Sequence, residues 1–333
     1  MKKHFKRTIF SILSIITLLC TSFPVNAETI IADNSSAYTI ETPYIYPIVP
    51  GTSDWNAFNT HTQKIEACQI PENLLHHMTT QALLETVLDY PLLSDMLVYN
   101  TPYEGFDAVC NSFNGLSELT TREDAQQAIQ KSRIRSFSEY SLNTNSTDVL
   151  CPIYLNVFSK FLSANSPALQ NLKVARAENR TLKTPKQSTV YAIYNQTWSD
   201  VGATAQSDAK QLEATFRSTY PNATKVRDMT PAYNCHSYAW YSTSSSNKYW
   251  INDPSPYLGD GSYTMQKSPK VGYKVYQANS NGNPIHSGIV LTLNFGGSNK
   301  VGMRSKWGML GVYEHSVYDS PYKGSTTETT YWK

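Results

Sequence analysis

Apolar residues in this chain change their spacing once, and that change constrains the fold more than any single motif. After Pro71 they recur at helical intervals: Leu74, Leu75, Met78, Ala82, Leu83, Val87 and Leu88, then Phe106, Val109, Cys110, Phe113 and Leu116, then Tyr154, Val157, Phe158 and Phe161. Such spacing predicts amphipathic helices, interrupted at Pro91. Thr120 with Glu123 reads as a capping box before Ala125, Ala128 and Ile129. Later the pattern shifts. Ser188–Tyr194 reads as a strand, and Ala205–Tyr220 as a helix with Leu212 and Phe216 inward, ended by Pro221. Short β-type runs follow at Lys248–Asn252, Val271–Val275, His286–Leu293, Lys300–Lys306 and Gly311–Tyr318, with Gly and Asn at the turns. The class is α+β. The expected parts are an irregular leader over 28–67, a separate all-helical domain over 68–165, a linker over 166–187 and a helix-then-antiparallel-sheet domain over 188–333.

The first 27 residues stand apart. Lys2, Lys3, Lys6 and Arg7 precede the apolar run Ile9–Cys20, and Val25-Asn26-Ala27 offers small residues for cleavage. These are the three parts of a secretory signal peptide. The run is shorter than the roughly 20 residues of a membrane span, so an exported or wall-associated chain without an integral membrane anchor is expected. Without those four basic residues, the formal charge of +2 becomes −2. No basic stripe remains to suggest a nucleic-acid partner.

Four cysteines follow the signal: Cys68, Cys110, Cys151 and Cys235. One disulfide among the first three is expected, leaving Cys235 as a thiol. No CxxC or HExxH spacing occurs, and neither a metal nor a cofactor is expected.

Cys235 lies in Tyr233-Asn234-Cys235-His236-Ser237-Tyr238-Ala239-Trp240-Tyr241, and His286 opens His286-Ser287-Gly288-Ile289-Val290. Asn234 is a good N-cap, so Cys235 falls in a first helical turn, where unsatisfied N–H groups favour thiolate. His286 at the mouth of a strand is the candidate base. The Cys235 backbone N–H is a candidate oxyanion donor. His236 is a poor rival base, because helical neighbours diverge. If strand 300–306 returns antiparallel, Ser305 to Gly308 lie opposite His286. Ser305 and His315 are then alternative third groups, although His315 would sit about two strands, near 10 Å, away. Lys306 and Glu314 read as exposed or salt-linked. A lone cysteine is also, commonly, a small buried hydrophobe.

A cysteine at a helix start followed by a histidine heading an HSGIV strand resembles the NlpC-type branch of papain-like cysteine peptidases and the related CHAP amidases. The likeness covers about residues 188–333, although the branch more often has Asp-Cys-Ser where this chain has Asn-Cys-His. It implies a papain-like catalytic domain with Cys235 as nucleophile and His286 as base, and His315 matches the residue type of the third group. It also implies amide hydrolysis, with a cell-wall peptide as substrate. Acyl transfer or protein deamidation on the same scaffold, and a non-catalytic envelope-binding protein, are the competing functions.

Overall fold

A computed structural model describes residues 38–142, 150–162, 178–202 and 204–333. The signal segment 1–27, the start of the leader and linker residues 166–177 lie outside the described residues. Among the described residues the α-helices α1 (Ser53–Ala57), α2 (His61–Ala67), α3 (Glu72–Leu75), α4 (Thr80–Leu88), α5 (Pro102–Cys110), α6 (Asn114–Thr121), α7 (Ala125–Leu142) and α8 (Cys151–Phe161) come first, with a 3-10 helix at Leu93–Val98 between α4 and α5. Local chemistry sets their starts. Thr60 with Gln63 and Thr101 with Glu104 form capping boxes, and Pro102 occupies the first turn of α5. Thr120 does not cap α7. It lies inside α6, and its hydroxyl donates to the Ser117 carbonyl.

The remaining elements are β1 (Glu178–Lys183), β2 (Thr189–Tyr194), α9 (Trp198–Val201), α10 (Ala205–Thr219), β3 (Thr224–Arg227), β4 (Tyr249–Trp250), α11 (Ser255–Gly259), β5 (Met265–Gln266), β6 (Lys274–Ala278), β7 (Pro284–Phe295), β8 (Lys300–Lys306), β9 (Val312–Ser316) and β10 (Glu328–Trp332). They build a three-stranded sheet, β1-β2-β4, and a seven-stranded sheet, β3-β9-β8-β7-β6-β10-β5. Every pairing is antiparallel. The α+β class therefore holds, and β8 has the expected bounds. Part of the expected linker is instead strand β1, held in register by β2.

The helical segment is not a separate domain. Residues 38–333 form one compact unit. One core joins Leu83, Met96, Phe106, Phe158 and Ile129 to Phe216, Tyr220, Trp307, Leu310 and Tyr322. The apolar faces of the helices close on α10 and the sheet as well as on each other. Residues 38–67 are likewise no loose leader: Trp55 is fully buried, and its indole N–H donates to the Thr219 carbonyl.

A buried polar seam ties these parts together. His61 Nε2 meets Asp95 at 2.8 Å and Nδ1 meets the Lys323 carbonyl at 2.8 Å. The Tyr220 hydroxyl donates to Asp95 at 2.7 Å, and Lys64 Nζ pairs with Asp319 at 2.7 Å. Burial raises the Asp95 carboxyl above its ordinary range, against the pull of His61, Tyr220 and Lys64. Among the described residues, no helix is long and apolar enough to cross a membrane.

Candidate functional site

Asn234 caps the Cys235 turn as its sequence predicts. Its Oδ1 accepts from the Ser237 N–H at 3.1 Å and from the Ile251 N–H at 3.2 Å. Its Nδ2 donates to the Ile251 carbonyl at 2.6 Å and to Asn100 at 3.0 Å. The helix is short and widens into a π-turn over Ser237–Tyr241. It packs on β6, β7 and β8 of the large sheet. Cys68, Cys110, Cys151 and Cys235 are all thiols, so the disulfide expected among the first three does not form.

The thiol of Cys235 is buried, with 2% of its surface exposed. The nearby backbone N–H groups of Ser287, His236 and Cys235 itself and the Lys306 charge favour the ionised form of the sulfur. Burial outweighs all of these and pushes the thiol up to about 12. A lowered value was expected from the helix start and an imidazolium. Removal from water wins, because no imidazolium is adjacent.

His286 is fully buried and neither ring nitrogen makes a hydrogen bond, to Cys235 or to any other group. Its ring stacks on Tyr322, with centroids 3.7 Å apart and planes 9° apart. Burial holds its pKa well below the ordinary 6.5, with His315 and His236 adding to the effect. The Ser287 hydroxyl faces the Cys235-bearing helix, meeting His236 Nδ1 at 2.8 Å and the Trp240 indole N–H at 2.9 Å.

The two third-group candidates bond each other. His315 Nδ1–H donates to the Ser316 carbonyl at 2.8 Å, so Nε2 is the acceptor. It receives the Ser305 hydroxyl at 2.7 Å and the Trp307 indole N–H at 3.2 Å. Neither orients His286. The His286 and His315 rings nevertheless lie 6.4 Å apart, closer than two strand spacings, because both lean over the same face. Burial lowers His315 to about 4 and His236 to about 3, so both are neutral near pH 7.

Three residues of this neighbourhood were not singled out by sequence as site groups. Ser287 supplies a hydroxyl to both His236 and Trp240. Tyr322 covers His286, and no local signal marks it. Lys306 is fully buried rather than exposed or salt-linked, whereas Glu314 does pair with Arg304. The expected antiparallel return of β8 was the available signal for Lys306: continuing the Ile289–Arg304 register by two residues sets it across from Ser287. Among the described residues, no group of three or more His, Cys, Asp or Glu is arranged to hold a metal ion.

Comparisons with protein-family models, with curated proteins and with solved structures find no match to this chain.

Proposed function

We propose that this protein is a secreted cysteine hydrolase of papain-like, NlpC-type layout that cleaves amide bonds in cell-wall peptides, with Cys235 as nucleophile. The observation that carries the reading is Cys235 at a helix start capped by Asn234, where the nearby backbone N–H groups of Ser287, His236 and its own residue favour the ionised sulfur. Those donors suit a thiolate and, after attack, the oxyanion of a tetrahedral intermediate. In the mechanism, Cys235 attacks the carbonyl, His286 takes the thiol proton and returns it to the leaving amine, and water resolves the thioester. For that, a His286 nitrogen must come within hydrogen-bond reach of the sulfur, a bond that this structure does not contain. Export and the wall substrate rest on the N-terminal segment and on the family resemblance.

A specific observation favours a second reading, an envelope-binding protein without catalysis: His286 makes no hydrogen bond and is held neutral behind Tyr322. Incubating the full mature chain with purified wall peptides and following newly released amines separates the two. Hydrolysis by the wild type that disappears in Cys235→Ala supports the hydrolase. Cleavage that survives Cys235→Ala, or wall binding with no cleavage, defeats it.

A further inference from the structure

Gln277 on β6 and His286 on β7 stand directly opposite one another in the antiparallel register. Opposed residues of such a pair share a face of the sheet, with Cβ atoms about 5 Å apart. The neighbouring pair shows that opposed side chains here do meet common groups. Tyr276 opposes Ser287, and both reach Trp240, the tyrosine ring at 6.5 Å and the serine hydroxyl at 2.9 Å. A bulge follows at once, between Gln277 and Ala278. Bulges re-aim side chains and are frequent beside active sites.

Both side chains are fully buried, and both reach the stretch 315–322. Gln277 Nε2 donates to the Val317 carbonyl at 3.2 Å, while the His286 ring stacks on Tyr322 and lies 6.4 Å from the His315 ring. A carbonyl only accepts, so the bond to Val317 settles which end of the amide is nitrogen and leaves Oε1 as a free acceptor. That oxygen has no hydrogen-bond partner, and neither has either nitrogen of His286. The two are complementary, because the imidazole, held neutral by burial, carries one N–H donor. Ser305 and His315 are occupied with each other and leave His286 to another partner. A buried donor and a buried acceptor cost less joined than apart.

We propose that Gln277 is the positioning residue of His286, its Oε1 accepting the single imidazole N–H in solution. The inference rests on His286 being the base that serves Cys235. An amide oxygen selects the tautomer whose other nitrogen keeps a lone pair, which is the form that takes a thiol proton. No proton passes to Gln277. It sets which nitrogen is basic and how the ring is turned.

The test is the imidazole 1H–15N spectrum of the full mature chain labelled with 15N-histidine, recorded near pH 7. In the wild type, His286 is expected as one tautomer with a slowly exchanging N–H proton that shows a cross-relaxation peak to the Gln277 side-chain amide. A mixture of tautomers, or a protected proton without that peak, would overturn the pairing, and neither result needs a variant that folds. Gln277→Met should release a tautomer mixture and speed exchange of the N–H about tenfold. Gln277→Glu should restore the single form, because a protonated acid can donate to Val317 and accept from His286 as the amide does. Identical spectra for wild type and Gln277→Met would also overturn the pairing. In wall-peptide hydrolysis, Gln277→Met should lower kcat at least about tenfold with KM little changed, as for a base that has lost its orientation. A Gln277-bound His286 in a chain that cleaves nothing sustains the pairing and sinks the hydrolase. Cleavage that is lost in Cys235→Ala but indifferent to Gln277→Met does the reverse.

Discussion

Two buried histidines, one in each polar region of this molecule, are treated in opposite ways. In the seam between the helices and the C-terminal loop, His61 has both nitrogens engaged, and Asp95, Tyr220, Lys64 and Asp319 complete the network. At the candidate site, His286 has neither nitrogen engaged and Lys306 faces carbonyls instead of a carboxylate. Buried polar groups are normally satisfied. The seam obeys that rule and braces the fold. The candidate site departs from it at His286.

The comparison is broken most severely by removing the seam. A chain reduced to residues 188–333 loses the helices that cover Phe216, Tyr220, Trp307 and Tyr322, and it should aggregate or lack cooperative unfolding by circular dichroism. A soluble, cooperatively folding fragment would show that the sheet region carries its own core. Lys64→Met leaves Asp319 as a buried, unpaired carboxylate. Denaturant unfolding should register a loss of about 3–5 kcal/mol.

Smaller effects sharpen the contrast. Lys306 has a folded pKa of about 7 against an ordinary 10.5, so between pH 7 and 9 the unfolded chain binds more protons and stability rises with pH. That rise should amount to about 2 kcal/mol and vanish in Lys306→Met, as measured by urea unfolding at both pH values. Above pH 9 the raised thiol of Cys235 acts in the opposite direction. His286→Phe keeps an aromatic partner for Tyr322 and removes two unsatisfied nitrogens. Its stability should lie within about 1 kcal/mol of the wild type or above it. The same exchange at His61 strands Asp95 and should cost more; equal losses at the two positions would erase the distinction.

Local signals in the sequence were read well. The Asn234 cap, the burial of Leu212 and Phe216, and the extent of β8 all follow from residues within a few positions of one another. What was not legible depends on distant partners. Residues 38–67 look irregular because their order comes from groups such as Thr219, Asp95 and Asp319. Lys306 looks like a surface residue until the β7–β8 register is followed, and nothing near Tyr322 announces that it will stack on an imidazole 36 positions earlier. The closed apolar periodicity of the helices suggested an independent domain, because spacing reveals an inward face without revealing what else shares it.

The 317–327 loop has a consequence for the order of assembly. It supplies Asp319 to Lys64, the Lys323 carbonyl to His61 and Tyr322 to His286, so its contacts with α2 join residues 255 and 262 positions apart. Closing loops of that length is slow and comes late in folding. The cover over His286 therefore has to wait until almost the whole chain has been made. Until then the helical layer and the sheet lack the ties from Asp319 and Lys323, and a chain cut short before residue 319 carries Cys235 and His286 without the Tyr322 ring that stacks on the imidazole.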